Sequence, residues 1–340
     1  MTSAIDVVRL FGAVQAQDYA GAMWALGQRT SGITEAEVGR LYDEGKILRT
    51  HVMRPTWHFV LPDDIRWLLD LTGARLRRGF TPRHRQLGLD EADVSRAVSI
   101  FGEALAGGRF LTRTELGDRL RAAGIAPEGQ RLPHLLGAAE VAGAIISGPR
   151  RGKQMTYALL AERAPGAQVL ERPEALAELT RRYFRAHGPA QLQDFVWWSG
   201  LTVSDARTGL ALAGADLDHQ TIGDKDYWLA PGVSADDPGM VAHLLPNWDE
   251  YTVGYRDRAA AHPPDGSLHP DLFAYGNILS NVVTIGGKVR GGWRRVSGAG
   301  GVRIEIRVPA RLAAAEAAAV DDAAHRFGRF LEVPVETVWR

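Results

Sequence analysis

The chain has 340 residues, and its 40 basic and 40 acidic side chains give a formal net charge of zero. It contains no cysteine, which excludes disulfides, thiol nucleophiles and cysteine-ligated metals. With 45% apolar and 24% charged residues, the composition is that of a soluble globular protein with room for two or three domains.

No run of about 18 apolar residues predicts a membrane span, and the N-terminus lacks the basic-then-apolar pattern of a signal peptide. We therefore expect a cytoplasmic protein that does not bind membranes. Only four of the 40 basic residues are lysines. The planar guanidinium of arginine suits phosphate, although a GC-rich genome produces the same bias without a functional reason.

The first segment that suggests chemistry is Gln15-Ala16-Gln17, with two neutral amides around a small apolar residue. Nearby apolar residues recur at roughly helical spacing and glycines interrupt them, so the amides are expected near a helix end or break. There they either point into a cavity or are ordinary surface and capping side chains. The adjacent Asp18 either activates a water molecule as a carboxylate base or caps the following turn.

The next elements are a helix and a hairpin. Thr34 is expected to cap a helix over 35–44. Strands over 47–52 and 56–61 then flank the basic turn Met53-Arg54-Pro55.

Two further segments repeat this order of helices and a turn-linked strand pair. In the second, helices are expected over 91–106, from Thr112 and over 131–141, and strands over 144–147 and 155–160. In the third, helices are expected over about 173–187, 189–198 and 202–213, and strands near 217–222 and 226–230. Three such repeats are typical of tandem winged-helix units.

After a linker over 232–238, the composition changes to strand-like runs separated by glycines. Strands are expected over 281–286, 288–296 and 301–308, then a helix over 309–331 and a last strand over 333–339. This pattern predicts a C-terminal β-barrel or curved sheet with one helix. The predicted fold class is α+β, with winged-helix units over 1–88, 89–165 and 166–235 and the C-terminal domain over 236–340.

A winged helix binds duplex DNA by placing a helix in the major groove and a wing on the backbone. We therefore expect double-stranded DNA as the partner of a monomer, or alternatively wings that serve only as protein-interaction modules. The side chains expected to contact DNA are Arg54, Thr56, His58, Arg150, Arg151, Lys153 and Arg256. Arginines are also dense between Arg49 and Arg85, either along a phosphate backbone or on a solvated helix face.

The remaining polar clusters predict no metal and no cofactor. The ten histidines include no array with metal-ligand spacing, and paired glycines such as Gly286-Gly287 are expected to form turns between strands. Asp249 and Glu250 form an acidic pair that either orients Arg256 or Arg258 in an ion pair or lines the site. Asp249, like Asp18, is a candidate to support the amides or to act as an alternative base.

Three segments together resemble the winged-helix DNA glycosylases that include AlkZ and YcaQ. They are Gln15-Ala16-Gln17, the hairpin from Met53 to Val60, and the run from Leu245 through Asp249 to Arg258. The resemblance covers nearly the whole chain and implies three winged helices and a C-terminal β-barrel around a DNA channel. The AlkZ branch uses Gln-apolar-Gln as its catalytic motif, which implies that Gln15 and Gln17 are catalytic.

Two features depart from the family pattern. Pro55 and Trp57 stand where its hairpin has glycine and an aliphatic residue, and fewer residues than usual precede the motif. The resemblance still implies excision of N7-alkylated purines, and some family members also unhook interstrand crosslinks.

The residue types fit this chemistry. A cationic alkylpurine leaves with little acid assistance, so amides that position a water molecule suffice. No lysine lies near the motif, so a Schiff-base lyase step is not expected. The sequence therefore predicts a monofunctional DNA glycosylase for N7-alkylguanine and N3-alkyladenine. The alternative is a non-catalytic winged-helix DNA-binding or regulatory protein.

Overall fold

A computed structural model describes residues 1–233, 239–262, 270–273, 276, 280–298 and 300–340. The described chain is a mixed α+β protein, as predicted. Residues 234–238 of the expected linker, which include the boundary at 235, lie outside the described residues. Within the described ranges, no helix is both long and apolar enough to cross a membrane.

The first unit surrounds a three-stranded sheet. Its elements are α1 (Ala4–Phe11), β1 (Val14–Gln15), α2 (Tyr19–Gly27), α3 (Glu35–Asp43), β2 (Leu48–His51) and β3 (Trp57–Val60). The strand order is β1-β3-β2, and both ladders are antiparallel. As predicted, Thr34 begins α3, because its side chain accepts from the Glu37 amide and the Glu37 side chain accepts in return from the Thr34 amide.

A long helix, α4 (Ile65–Gln86), leads into the second unit. That unit contains α5 (Glu91–Leu105), β4 (Leu111–Thr112), α6 (Arg113–Ala122), α7 (Arg131–Val141), β5 (Ile145–Ser147), β6 (Thr156–Leu159) and α8 (Leu160–Arg163). Its strand order, β4-β6-β5, repeats that of the first unit. The predicted helix start at Thr112 is confirmed by a reciprocal pair of hydrogen bonds with Glu115.

The third unit repeats the pattern with fewer strands. It contains α9 (Arg172–His187), α10 (Leu192–Ser199), α11 (Val203–Ala213), β7 (Asp218–Ile222) and β8 (Lys225–Leu229). Ala190 bridges to Trp228 of β8 and so takes the place of the short first strand of the other units. The second helix begins at Leu192 rather than at 189, because Ala190 exchanges backbone hydrogen bonds with Trp228.

The C-terminal part is built on a five-stranded sheet. Its elements are β9 (Ala242–Leu245), α12 (Glu250–Val253), β10 (Val282–Ile285), β11 (Lys288–Gly298), β12 (Gly301–Arg307), α13 (Ala314–Leu331) and β13 (Val335–Trp339). Short 3-10 helices occupy Gly214–Asp216, Ala259–Ala261 and Pro270–Phe273. The strand order is β13-β12-β11-β10-β9. Over the described residues, β13 and β9 stay at opposite edges, so the sheet is open and a closed barrel is not observed.

Two of the hydrophobic cores include the first unit. One joins α1 and α2 to the C-terminal sheet and α13, with Trp24 against Phe327 and Phe330. A Cβ on Gly27 would lie 2.5 Å from the Phe330 ring, so this close packing requires glycine. The other core joins the first hairpin and α4 to the third unit around Trp198. The segment between α1 and α2 therefore lies where the C-terminal part and the third unit meet the first unit. The second unit has a core of its own and also contributes Ile146 and Ala158 to the core around Trp198.

Candidate active site

The Gln15-Ala16-Gln17 segment is held by backbone pairing. Helix α1 ends at Gly12, whose φ of 76° turns the chain toward β1. Gln15 pairs with His58 of β3, and the Ala16 amide donates to the Trp57 carbonyl oxygen at 2.7 Å. Gln15 is only 7% exposed. It is therefore not a helix-surface residue, and the segment lies in the break between two helices that the glycines indicated.

The two amide side chains differ in the hydrogen bonds they can still make. The Gln15 carbonyl oxygen accepts from the Ala16 and Gln17 amides at 3.0 and 3.3 Å, which uses both of its lone pairs. Its Nε2 donates to the Thr56 hydroxyl at 3.2 Å. The half-buried Gln17 accepts from the Trp57 amide at 3.3 Å and keeps one lone pair. A water molecule could thus be held between an acceptor on Gln17 and a second N–H of Gln15.

A buried carboxylate anchors the same strand. The Gln15 backbone amide donates to Glu250 Oε1 at 2.6 Å, and the other oxygen accepts from Trp198 Nε1 at 2.8 Å and lies 3.2 Å from His187 Nε2. Burial raises the pKa of Glu250, but the hydrogen bond and charge of His187, the Gln15 amide and the charge of Arg54 lower it to about 2. Glu250 is therefore an ionised group that ties the C-terminal part and the third unit to the amide segment.

Arg49 engages the carbonyl side of the segment. Its Nε donates to the Ala16 carbonyl oxygen at 2.9 Å and its Nη2 to that of Gln17 at 3.4 Å. The guanidinium carbon lies 4.4 Å from the centre of the Trp57 ring, and burial lowers the pKa of Arg49. Arg49 thus supports the segment from inside the protein and is not part of an exposed basic track. Arg49 was not identified from the sequence as a neighbour of the amides, whereas the contact of Glu250 with Gln15 fits the alternative that the acidic pair lines the site.

Asp18 caps α2. Its Oδ1 accepts from the Gly21 amide at 3.1 Å, and its Oδ2 accepts from Asn247 Nδ2 at 3.1 Å. Of the two roles considered for Asp18, the structure therefore shows the helix cap.

Asp249 has a different partner from the one expected. Its Oδ1 lies 2.7 Å from Arg29 Nη2, and the Asp249 side chain is fully buried. Of the two alternatives for the acidic pair, the ion pair with Arg256 or Arg258 is not observed among the described residues, since Arg258 Nε donates to the Thr252 carbonyl oxygen and Arg256 is exposed. The physical reason is that both carboxylates turn into the junction between units, where partners distant in sequence satisfy them.

Two residues expected on the DNA surface are turned inward. Met53 has a φ of 62°, which folds the turn of the first hairpin back, and the Arg54 nitrogens Nε and Nη2 are buried. His58 is 0% exposed, its Nδ1 lies 2.9 Å from the Thr56 carbonyl oxygen, and burial lowers its pKa to about 3. Arg54 and His58 are thus directed into the protein, and the expectation that they contact DNA stays a prediction. Thr56 is half-buried and contacts Gln15.

Within the described chain, two of the other residues expected to contact DNA are ion-paired, and two are not. Arg150 is ion-paired with Asp43 at 2.7 Å, and Arg151 with Glu115 at 2.8 Å. Lys153 and Arg256 are exposed and have no ion-pair partner among the described residues. The last two positions are therefore the ones free to meet a phosphate without breaking an existing pair.

The arginine-dense region folds largely into α4. In the described part of the chain, five exposed arginines of this helix have no carboxylate within ion-pair distance: Arg75, Arg77, Arg78, Arg83 and Arg85. Among the described residues, no group of three or more histidine, aspartate or glutamate side chains is arranged to hold a metal. The site thus combines two neutral amides with the buried Glu250 and with Arg49, which hold their backbone.

Comparison with known proteins identifies the family. The model of the family described as DNA glycosylase AlkZ-like matches residues 8–330. The chain is similar to the interstrand DNA cross-link repair glycosylase of Streptomyces sahachiroi, at 28% identity over 316 residues, 86% of this chain and 82% of that protein. The solved structure of Streptomyces sahachiroi DNA glycosylase AlkZ has the same fold, with a TM-score of 0.77 at 24% identity over 99% of this chain and 94% of that chain. The chain therefore belongs to the AlkZ-like DNA glycosylase family.

Proposed function

We propose that this protein is a monofunctional DNA glycosylase that hydrolyses the N-glycosidic bond of cationic alkylated purines in double-stranded DNA. The observation that carries the proposal is the pair of neutral amides at the junction of the units, with donors and acceptors left for one water molecule. The two nearest carboxylates are occupied, since Asp18 caps α2 and Glu250 is buried against the Gln15 amide.

In the proposed reaction, the lesion supplies the electron sink. An N7-alkylguanine or N3-alkyladenine carries a positive charge, so the electron pair of the breaking bond to the sugar neutralises the base as it leaves. Gln17 Oε1 accepts a hydrogen bond from the water, whose oxygen forms the new bond to the sugar carbon while its proton passes to solvent. Gln15 Nε2 donates to the water or to a sugar oxygen. This role is positioning, which requires no strong base.

The same chemistry covers an interstrand crosslink formed through purine N7 atoms, since each linked base is then a cationic alkylpurine. The relative from Streptomyces sahachiroi is named for crosslink repair, and we include such crosslinks among the proposed substrates. No lyase step is proposed, because a Schiff base requires an amine and, in the described part of the chain, no lysine side chain hydrogen-bonds to the amide segment.

We propose that the three units, each built of helices and a turn-linked strand pair, act as winged helices, divided near residues 88, 165 and 235. The exposed arginines of α4, with Lys153 and Arg256, would neutralise phosphates of one duplex bound by a monomer. Support comes from their exposure and from their lack of ion-pair partners in the described ranges. Each neutralised phosphate adds to a salt-dependent affinity.

One assay tests the proposal. Purified protein is incubated with a duplex that contains a single N7-methylguanine, and alkali then reveals abasic sites by strand scission. Gln15→Ala and Gln17→Ala should each lower the excision rate about a hundredfold, with DNA affinity changed by less than about twofold because neutral amides contribute little to phosphate binding. Gln168→Ala, at an exposed glutamine, is the matched control. Binding without scission would identify a non-catalytic DNA-binding protein instead.

A further inference from the structure

The turn of the first hairpin packs against the third unit. A Cβ on Gly200, which caps the C-terminus of α10, would lie 2.4 Å from the Met53 carbonyl oxygen and 3.7 Å from Arg54 Cγ. Gly200 has a φ of 68°, which favours glycine. The close approach therefore directs Arg54 into the junction between the first and third units.

Two nitrogens of the Arg54 guanidinium have no partner among the residues that the structure describes. Its Nε and Nη2 are buried and make no hydrogen bond within the described residues. Burial lowers the pKa of Arg54, the charge of Glu250 opposes this effect, and the charge of Arg258 adds to it. Buried donors without acceptors cost free energy and are uncommon in native proteins, so they call for an explanation.

Arg258 reaches the same region from the C-terminal part. Its Nε donates to the Thr252 carbonyl oxygen at 2.6 Å, and its guanidinium carbon lies 5.5 Å from the centre of the Trp197 ring on α10. Its Nη2 is also buried without a partner in the described chain. Two positively charged guanidinium groups, each with a buried nitrogen that lacks a partner in the described chain, therefore lie in the same region beside α10.

The nearby carboxylates do not neutralise this pair. Glu250 accepts from the Gln15 amide at 2.6 Å, and Asp194 accepts from the amides of Arg256 and Asp257 at 2.9 and 3.1 Å. Among the described residues, neither carboxylate forms an ion pair with the two guanidinium groups. The acidic groups of this region are thus committed elsewhere, and the arginines keep their capacity for an anion.

We propose that Arg54 and Arg258 together bind one phosphodiester of the DNA strand that carries the lesion. The inference rests on the proposed function and adds a contact to the same site. Thr56 provides the link, since its amide donates to the Arg54 carbonyl oxygen at 2.7 Å and its hydroxyl accepts from Gln15. Phosphate oxygens accept charge-assisted hydrogen bonds from guanidinium groups, which satisfies the buried donors and relieves the repulsion between the two cations.

The test replaces single phosphates by uncharged methylphosphonates. Affinity for a duplex with an abasic-site analogue is measured for the wild type, Arg54→Ala, Arg258→Ala and Arg258→Lys, with each phosphate near the lesion replaced in turn. One replacement should weaken wild-type binding about tenfold and should change binding by Arg258→Ala less than about twofold. In Arg258→Lys, the same replacement should weaken binding by an amount between those two values, because lysine keeps the charge and loses the planar fork. Arg121→Ala removes an exposed, ion-paired arginine and should retain the tenfold effect.

The outcomes are separable. Equal weakening of the wild type and Arg258→Ala at every position overturns the proposal. So does thermal stabilisation of the wild type by inorganic phosphate with no position-specific effect in the scan, since the pair would then bind a free anion and not the DNA strand. A wild type that neither binds nor cleaves the lesion duplex contradicts the proposed function instead. Unfolding temperatures of all variants identify any loss of fold, and Arg258→Lys keeps the test decisive if Arg54→Ala does not fold.

Discussion

Glu250 holds the strand that carries the amides, so its effect on catalysis should be indirect. In Glu250→Gln, one accepting oxygen becomes an NH2 group that cannot accept, so either the Trp198 indole N–H or the Gln15 amide is left buried and unsatisfied. We expect the free energy of unfolding to fall by about 1 to 3 kcal/mol and the excision rate to fall about tenfold or more, with little change in DNA affinity. Glu305→Gln, at a buried carboxylate of the C-terminal sheet, should lose stability without this loss of rate. An unchanged excision rate in Glu250→Gln would contradict the positioning role.

The pKa of Glu250 also predicts how stability depends on pH. Its folded-state value of about 2 lies below the ordinary 4.5. Ionised Glu250 therefore stabilises the fold fully above about pH 4.5, and that contribution is lost as the pH falls toward about 2. Urea unfolding at a series of pH values should show a steeper acid loss in the wild type than in Glu250→Gln. Equal slopes would show that the pKa of Glu250 is not lowered in the folded protein.

Asp18 separates two models of catalysis. Asparagine caps a helix about as well as aspartate, so Asp18→Asn keeps the cap of α2 and removes only the charge. If the amides position the water for a cationic lesion, excision of N7-methylguanine should change less than about threefold in this variant. The rate should also stay nearly flat between about pH 5 and 8. Abolished excision in Asp18→Asn would identify Asp18 as the base, and the amides would then only orient.

At the scale of elements, α4 carries most of the exposed arginines that we propose bind the phosphates of the duplex. Arg75 and Arg78 are exposed, one turn apart and without ion-pair partners in the described residues. Replacing both by alanine should reduce the slope of log affinity against log salt by about two. Binding of a lesion and of an undamaged duplex should weaken alike, because phosphate contacts carry no sequence information. Arg121→Ala, at an exposed arginine outside α4, should leave the slope unchanged, and an unchanged slope in the α4 variant would place α4 outside the DNA surface.

Helix starts illustrate what local pattern can predict. The Thr34 and Thr112 caps form with the glutamates three residues later, because both partners lie within one turn of chain. The helix predicted from 309 instead starts at Ala314, and the one predicted from 189 starts at Leu192. In the third unit the reason is tertiary, since Ala190 pairs with a strand that follows almost forty residues later.

At the scale of the whole molecule, the first unit depends on its neighbours. Phe330 of α13 packs on Trp24 and over Gly27 of α2, in the core that the first unit shares with the C-terminal part. Phe330→Ala should lower the free energy of unfolding by about 3 kcal/mol or more and should also lower excision below the unfolding temperature, because α2 begins directly after the amide segment. Leu116→Ala, in the separate core of the second unit, should destabilise without slowing excision. Equal excision losses in Phe330→Ala and Leu116→Ala would show that the core shared with the C-terminal part has no special effect on the amide segment.

The sequence by itself determined the α+β class and most helices and hairpins, because caps and periodicity act within a few residues. Its short motif predicted Gln15 and Gln17 as the catalytic pair, which stays a prediction. Only the tertiary structure decided what surrounds the amides. Glu250 reaches Gln15 across 235 positions, and the fold turns Arg54 and His58 inward, although the sequence counted both among the side chains that contact DNA. The physical reason is that a buried polar group must find its partner wherever the packed units place one, and no spacing along the chain records that position.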